Sequence, residues 1–226
     1  MDIFGCKFAQ GFGMTETVAV ICAMTSDDHI RALNEKPELL KSCGRPLIDT
    51  LVEIRDENDK PLPIGEIGQI CAKGPQIMKG YWNKTEETAK ALSGGWMHTG
   101  DAGKMDEEGF VYIQDRIKDM IVSGGENIYS TEVEAVLFSH PDVVDAAVIG
   151  VPDDKYGEVV KACVVKKKDS ELGADDLIEF CKQKIASYKK PQSVDFIEEV
   201  PRNASGKVLK KVLREPYWKN RDRQVS

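Results

Sequence analysis

The residues best suited to chemistry lie between Trp96 and Ile128, where charged residues and glycines interrupt short apolar runs. Asp101 follows a glycine, and its two carboxylate oxygens can accept hydrogen bonds from both hydroxyls of a vicinal diol. Arg116 carries a permanently charged fork suited to ribose or phosphate oxygens. The alternatives are that Asp101 lies in a surface turn and that Asp115 and Lys118 form a surface ion pair.

Three further segments combine glycine with polar residues. In Gln10–Glu16 (Gln-Gly-Phe-Gly-Met-Thr-Glu), the glycines would let the backbone approach a ligand closely, or would form a plain turn before a core strand. Ser123–Asn127 (Ser-Gly-Gly-Glu-Asn) is either a ligand loop or a tight turn. Lys207 follows Gly206 on a polar loop, and is alternatively one more lysine of a basic tail.

Gln10–Glu16, Trp96–Ile128 and Pro201–Lys207 together resemble the adenylate-forming acyl-CoA synthetases, the superfamily that also contains firefly luciferase and non-ribosomal adenylation domains. The resemblance runs along almost the whole chain, yet it covers only the C-terminal part of the family's pattern. Within this superfamily, the sequence most resembles the fatty-acid–CoA ligases.

The resemblance implies roles for the residues of the first segment. Phe12, between Gly11 and Gly13, would stack on adenine. Thr15 would bond phosphate and act with Glu16 in catalysis, and Glu16 would hold Mg²⁺, a cation that takes one or two carboxylates together with phosphate oxygens.

The later segments receive roles in the same way. Asp101 and Arg116 would bind the ribose, and Lys118 would be the hinge residue, acting through backbone rotation. Gly124 and Gly125 would line the pantetheine channel, where a thin ligand arm favours walls without side chains. Lys207 would be the catalytic lysine, whose ammonium group stabilises negative charge in the adenylation transition state. Trp96 and His98 are interpreted as packing or positioning residues.

Hydrophobic periodicity predicts the elements that position these residues. Apolar runs predict strands at 18–24, 51–55, 68–72, 110–114, 143–151, 159–165 and 194–197. Helical spacing predicts helices at 85–92, from Thr131 to before Pro141, and at 175–185. Thr131 and Glu134 fit a capping box. The strand at 18–24 needs a neighbour on each side, and few nearby segments can supply one.

This order of elements predicts an α/β (α+β) fold in three parts. Residues 1–114 would be the end of the large N-terminal AMP-binding domain, incomplete and with a small β subdomain. Residues 115–118 would be a hinge, because polar backbone is cheap to expose. Residues 119–226 would be the compact, mobile C-terminal domain.

Composition excludes some classes of function. A net charge of −7 over 226 residues argues against nucleic-acid binding, which needs a basic face. The six cysteines lack Cys-x-x-Cys or metal-site spacing, so we expect small buried hydrophobes in a reducing compartment. No apolar run approaches the ~18 residues of a membrane helix. We expect a cytoplasmic protein and leave peripheral membrane contact open.

One basic cluster lies near the end of the chain and is interpreted as a solvated tail. Its members are Lys207, Lys210, Lys211, Arg214, Lys219, Arg221 and Arg223.

The family reaction joins a carboxylic acid to ATP, releasing pyrophosphate, and then lets coenzyme A displace AMP. We therefore expect part of an acid–thiol ligase with ATP, Mg²⁺ and coenzyme A as cofactors, and with fatty acids as substrates before aryl acids. The family's Ser/Thr/Gly-rich phosphate loop ending in Lys is absent from these residues, so this chain alone should be inactive. Its expected partners are the missing N-terminal half, as a separate chain, or a second copy in a homodimer.

Three alternatives remain open at this point. The first is an amino-acid-activating adenylation domain. The second is a non-catalytic module that binds a nucleotide or coenzyme A without the phosphate loop. The third is a structural or interaction remnant, which would bind no ligand at all.

Overall fold

The computed structural model describes residues 5–219, and the chain divides into two compact units, Met1–Gln114 and Asp115–Ser226. The division falls at the start of the charged segment 115–118. That this segment acts as a hinge stays a prediction. No helix within the described residues is both long and apolar enough to cross a membrane.

The first sheet of the Met1–Gln114 unit is antiparallel, in the order β1-β2-β3. Its strands are β1 (Gln10–Gly13), β2 (Val20–Met24) and β3 (Arg45–Pro46). The expectation that β2 lacks neighbours was wrong, because β1 and β3 pair with its two edges. The strand begins at Val20 and not at Val18, since Val18 has a φ of 61° and is 75% exposed.

The second sheet has the order β4-β5-β6-β7 and is wider than the small β subdomain that the sequence predicted. Its strands are β4 (Leu51–Arg55), β5 (Gly68–Lys73), β6 (Met97–Met105) and β7 (Val111–Arg116). Two helices, α1 (Ser26–Asn34) and α2 (Thr85–Ala91), complete the unit. The predicted joint after Gln114 is partly strand, because β7 continues through Asp115 and Arg116.

The Asp115–Ser226 unit contains the predicted strands and helices, and in addition a short β-hairpin and a last helix. Its strands are β8 (Ile121–Ser123), β9 (Glu126–Ile128), β10 (Val143–Asp153), β11 (Gly157–Lys166) and β12 (Ser193–Phe196), and its helices are α3 (Ser130–Phe138), α4 (Ala174–Lys182) and α5 (Lys210–Trp218). β11 pairs antiparallel with β10 and parallel with β12.

The long strands β10 and β11 are apolar on both faces because helices cover both. On one face Val148 and Val164 pack with Leu137 of α3 and Leu177 of α4. On the other face Ile149 and its neighbours pack with partly buried residues of α5, including Leu213. Five of the six cysteines are buried free thiols, as expected, and Cys6 is exposed.

The interpretation of the basic cluster as a solvated tail was wrong for two of its members. The Lys210 and Arg214 side chains are only 11% and 13% exposed and form ion pairs with Glu134 and Asp119. The sequence missed α5 because its apolar residues are few and its charges dominate. Arg221 and Arg223 lie outside the described residues.

The predicted capping box at the start of α3 was also wrong. Its N-cap is Tyr129, without a side-chain cap bond, and the Glu134 carboxylate accepts instead from the Val148 amide at 2.8 Å. The carboxylate of Asp115 supplies the cap from elsewhere in the chain, accepting the Thr131 amide at 3.3 Å. A cap from a distant residue satisfies the exposed helix donors as well as a local one does.

Leu177 tests how far the two units are independent. Leu177→Ala should lower the free energy of unfolding of the second unit by about 2–5 kcal/mol, because a fully buried leucine leaves a cavity. Hydrogen exchange read separately for each unit should show faster global exchange in β10 and β11 and unchanged exchange in β5. Val144→Ala, at a 58% exposed position, is the control. Equal effects on both units would show that they unfold together.

Candidate functional site

The glycines of Gln10–Glu16 are required by the neighbouring strand. A Cβ at Gly13 would lie 1.8 Å from the Ala19 carbonyl oxygen, and one at Gly11 would lie 2.6 Å from Val20. Phe12 between them is partly buried against the core that contains Cys22. The glycines therefore set the close packing of β1 on β2, whatever ligand the segment binds.

A buried threonine that the sequence analysis did not single out shapes the turn after β1. Residues Thr15–Thr17 form a single 3₁₀ turn, and the Thr17 hydroxyl lies 3.0 and 2.9 Å from the carbonyl oxygens of Met14 and Ala19. It also accepts the Met14 amide at 3.0 Å. Thr17 thus fixes a turn that leaves Thr15 exposed and Glu16 half-buried.

The segment before α2 holds Glu16 in two places. The Tyr81 hydroxyl donates to Glu16 Oε1 at 2.8 Å, and the Met78 amide donates to the Glu16 carbonyl at 2.8 Å. Tyr81 is itself fixed by its amide, which donates to Thr88 Oγ1 on α2 at 2.9 Å. The hydrogen bond to Glu16 raises the pKa of Tyr81. Because Tyr81 occupies one lone pair, carboxylate oxygen sites remain for a cation.

Asp101 lies in a bulge of β6 and not in a surface turn. Gln69 pairs with Ala102 and Cys71 with His98, so three residues of β6 oppose Ile70 alone. Thr99 stabilises the bulge by donating to the Ile70 carbonyl at 2.8 Å and accepting the Asp101 amide at 3.1 Å. Gly100 has a φ of 75°, which favours glycine. Asp101 is 7% exposed, so the surface alternative was wrong.

His98 belongs to a cluster of three residues whose side chains are of the types that bind metal ions. One ligand atom each of Asp59, Cys71 and His98 lies within 4.8 Å of the others. Arg55 already supplies the positive charge, at 3.1 Å from the Asp59 carboxylate, and burial raises the pKa of Cys71 to about 12. A thiol that resists ionisation and a carboxylate already paired make a poor metal site, so we assign a structural role.

Trp96 has the packing role that the sequence suggested. It is 8% exposed and lies under the Arg55 guanidinium, whose Cζ is 4.3 Å from the indole ring centroid.

In the second unit, Arg116 is the exposed last residue of β7, and Lys118 lies in a 3₁₀ turn at Ile117–Asp119. The Lys118 carbonyl accepts Arg214 Nη1 at 3.1 Å. Asp115 is buried and accepts the Ser130 hydroxyl at 2.5 Å. The alternative of a surface ion pair made by Asp115 was therefore wrong.

Gly124 and Gly125 are the two turn residues of the β8–β9 hairpin. Both have positive φ, 60° and 88°, as a type I′ turn requires. The Gly124 amide donates to the Tyr156 carbonyl at 2.9 Å, and a Cβ at Gly124 would lie 3.1 Å from the Tyr156 ring. The tight turn is present, and the ligand role stays a prediction.

Lys207 is displayed on an exposed, well-bonded turn. Its amide donates to Asn203 Oδ1 and its carbonyl accepts the Asn203 amide, both at 2.9 Å. Arg202 holds the turn from the other side, donating to the Gly206 carbonyl at 3.0 Å and pairing with Asp145 at 2.8 Å. The lysine side chain thus extends from a backbone whose position is fixed.

The predicted residues fall into two sets, one in each unit. Gly11, Phe12, Gly13, Thr15, Glu16 and Asp101 belong to the first unit, and Arg116, Lys118, Gly124, Gly125 and Lys207 belong to the second. The sequence missed Tyr81 and Asn203, which hold Glu16 and the Lys207 turn. No spacing pattern connects Tyr81 to Glu16 across 65 positions.

The chain folds as two compact units, each carrying one set of predicted residues, and comparison with known proteins gives the family. The AMP-binding enzyme model matches residues 1–82, and the AMP-binding enzyme C-terminal domain model matches residues 132–207. The chain belongs to the AMP-binding enzyme superfamily, whose matched members include acyl- and aryl-CoA ligases and a carrier-protein ligase.

Two curated relatives illustrate the range. The chain is 42% identical over 211 residues to the 2-succinylbenzoate–CoA ligase of Bacillus cereus (strain AH820), which covers 93% of this chain and 42% of that protein. It is 39% identical over 226 residues to the fatty acid–[acyl-carrier-protein] ligase ScoC of Streptomyces coeruleorubidus, covering 100% of this chain and 43% of that protein. The chain therefore spans about two-fifths of the length of these relatives.

Solved structures agree with this assignment. ATP-bound MatB from Rhodopseudomonas palustris matches with a TM-score of 0.83 at 37% identity, over 92% of this chain and 40% of that one. The o-succinylbenzoate CoA synthetase MenE from Bacillus subtilis, in complex with its acyl-adenylate intermediate, matches with a TM-score of 0.81 at 39% identity, over 92% and 41%.

The contact between Tyr81 and Glu16 can be tested by titration. Glu16→Gln should lower the pKa of Tyr81 towards its ordinary value, because the charge that opposes ionisation of the phenol is removed. Carbon-13 NMR of labelled tyrosine side chains, with Tyr81→Phe for assignment, measures it. Tyr112 is the control: burial and Asp106 raise its pKa to about 12, and it should not move. An unchanged pKa of Tyr81 in Glu16→Gln would contradict the hydrogen bond between Tyr81 and Glu16.

Proposed function

We propose that this chain is part of a carboxylic acid–CoA ligase that forms an acyl-adenylate from ATP and then transfers the acyl group to coenzyme A. The observation that carries the proposal is the braced turn at Thr15–Thr17, where Tyr81 and Met78 hold Glu16 beside an exposed Thr15 hydroxyl. The 42% identity to a CoA ligase supports the same reaction class.

The first set of residues would bind the nucleotide. The Thr15 hydroxyl would donate to a phosphate oxygen, and the buried Asp101 carboxylate would accept from ribose hydroxyls. Arg116, from the second set, would donate its guanidinium N–H groups to a ribose or phosphate oxygen. Glu16 has the donor chemistry for Mg²⁺, which prefers one or two carboxylates beside phosphate oxygens. The bound cation would neutralise phosphate charge, while Glu16 keeps its position through Tyr81.

Lys207 would serve the adenylation step. Its ammonium group would lie against the oxygens on which negative charge develops as the carboxylate attacks the α-phosphate, and a preorganised charge contributes most where water is excluded. The Asn203 turn supplies the preorganisation. Lys118 would let the unit turn so that the Gly124–Gly125 hairpin serves the thiol step.

The acid substrate is proposed only as a class. Among the relatives, one acts on 2-succinylbenzoate, an aryl acid, and another on fatty acids, so our initial preference for fatty acids gains no specific support. Both classes remain candidates for this chain.

A carrier protein is the second candidate for the acceptor. The carrier-protein ligase ScoC aligns along 100% of the chain. A carrier protein and coenzyme A both present a thiol on a thin arm, so either would fit a glycine-walled channel. A direct comparison of coenzyme A with an acyl-carrier protein as acceptor separates the two.

These 226 residues alone should not catalyse acid-dependent exchange of pyrophosphate into ATP. They contain no Ser/Thr/Gly-rich run ending in Lys, so the β- and γ-phosphates lack a cradle of backbone amides. The assay should be run with fatty and aryl acids. Clear exchange by the purified chain would overturn our view that the adenylation site is incomplete.

The division of labour can be tested in a fusion ligase, in which this chain follows the part of the Bacillus cereus relative that it does not match. Lys207→Ala should reduce adenylate formation ~10²–10³-fold, because one electrostatic contact is lost, and leave conversion of supplied acyl-adenylate to thioester near normal. Gly125→Leu should show the reverse, since a bulky side chain would narrow the channel.

Gly109→Leu is the control for backbone strain in this comparison. Gly109 has a φ of 81°, similar to the 88° of Gly125, and open space around it. Gly109→Leu should leave the ratio of the rates of the two half-reactions unchanged. If Lys207→Ala and Gly125→Leu each slow both half-reactions equally, the two residues share one static site and the proposed alternation is wrong.

A further inference from the structure

Lys210 is a lysine whose side chain is largely buried beside the proposed catalytic segment. It is the first residue of α5, and its side chain is 11% exposed. Its Nζ lies 2.5 Å from Ser130 Oγ and 2.7 Å from Glu134 Oε1, both on α3. A lysine is rarely buried unless it is paired, so this position is built for its ammonium group.

The partners of Lys210 form a connected network. Ser130, fully buried, donates to Asp115 Oδ2 at 2.5 Å, and Asp115 also caps α3 through Thr131. Glu134 accepts the Val148 amide of β10 at 2.8 Å. Because each of these buried polar groups has a partner, the network favours one arrangement of α3, α5 and the start of the unit.

The network ends three residues after Lys207. Leu209 lies between Lys207 and Lys210, and its amide donates to the Pro201 carbonyl at 2.8 Å. This hydrogen bond closes the base of the exposed turn. The direction of the turn is therefore set by two ion pairs that join it to the body of the unit, Arg202 with Asp145 before it and Lys210 with Glu134 after it.

We propose that Lys210 is a positioning residue for Lys207: through Glu134 and Ser130 it fixes the Lys207 turn to α3 and to Asp115, at the start of the second unit. The proposal rests on the proposed role of Lys207 in adenylation. It assigns Lys210 no contact with substrate. Lys210 would hold the backbone that carries Lys207 in a fixed position relative to the segment at 115–118.

A purely stabilising ion pair is the competing explanation, and it predicts a different pattern. If Lys210 only stabilised the unit, its loss would raise exchange at all amides that open by global unfolding, and would slow both half-reactions equally. A positioning residue instead loosens the turn selectively and affects only the step that uses Lys207.

Lys210→Met removes the ammonium group and keeps most of the chain length. Since this leaves Glu134 buried without its partner, the double variant Lys210→Met/Glu134→Gln removes both charges and protects against misfolding. Lys211→Met is the matched control, because the neighbouring lysine is exposed. Lys189→Met is a second control, since it breaks another ion pair to α3, with Glu132 at 2.7 Å.

The first measurement uses the 226-residue chain itself, by hydrogen exchange of single amides. Lys210→Met and the double variant should raise exchange of the Leu209 amide about 10–100-fold, the change that corresponds to losing one charged hydrogen bond. The amide of Val164 in β11, which the network does not contact, should change less, and both control variants should leave exchange of the Leu209 amide unchanged. A uniform rise at all amides in both Lys210 variants, or no rise at Leu209, would overturn the proposal.

The second measurement follows both half-reactions in the fusion ligase. Both Lys210 variants should slow adenylate formation at least about tenfold more than thioester formation, whereas the controls should not change the ratio. If Lys207→Ala separates the half-reactions but Lys210→Met slows them equally, the positioning role fails and the proposed function stands. If Lys207→Ala does not separate them, the proposed function fails, and selective loosening of Leu209 still decides whether Lys210 holds the turn.

Discussion

Two carboxylates that contact α3 or belong to it, the buried Asp115 and the largely buried Glu134, need positive charge and hydrogen-bond donors, and this need organises the second unit. Asp115 is satisfied by Ser130 and by backbone amides, and Glu134 by Lys210 and the Val148 amide. Burial raises the pKa of Glu134, and Lys210 opposes that rise. An isolated buried charge is expensive, so the ammonium of α5 must lie at this point. Once it does, the apolar side of α5 covers the second face of β10 and β11.

The sequence could predict this fold where local pattern and burial agree. β10 and β11 are long β-branched runs because both faces of the sheet are covered, and that produces an unmistakable signal. The cap of α3 could not be predicted, because a capping box is a local rule and the carboxylate that caps the helix lies at Asp115, well before its first turn. The same limit prevented the prediction of α5. Its basic residues are typical of a solvated tail unless their ion-pair partners on α3 and at Asp119 are known.

The candidate site follows the same division between local and distant signals. Glycines, Asp101, Arg116 and Lys207 were visible as motif residues, yet the reasons for their geometry were not. Gly11 and Gly13 are needed because β2 lies against them. Asp101 is only 7% exposed because it lies in a bulge of β6. Bulges and strand contacts depend on register, which a single sequence does not specify. Tyr81 approaches Glu16 only because α2 and the segment before it are in place.

Several candidate site residues share one design, in which an exposed residue is held by hydrogen bonds within its own unit. Thr15 extends from a turn that Thr17 bonds, Gly124 and Gly125 from a hairpin tied to Tyr156, and Lys207 from a turn held by Asn203. Preorganised backbone reduces the reorganisation that a reaction must otherwise include. Because each brace lies within one unit, a change in the relation between the units would leave every local geometry intact. The proposed two-step reaction, in which different groups act in turn, would therefore need no rearrangement within either set.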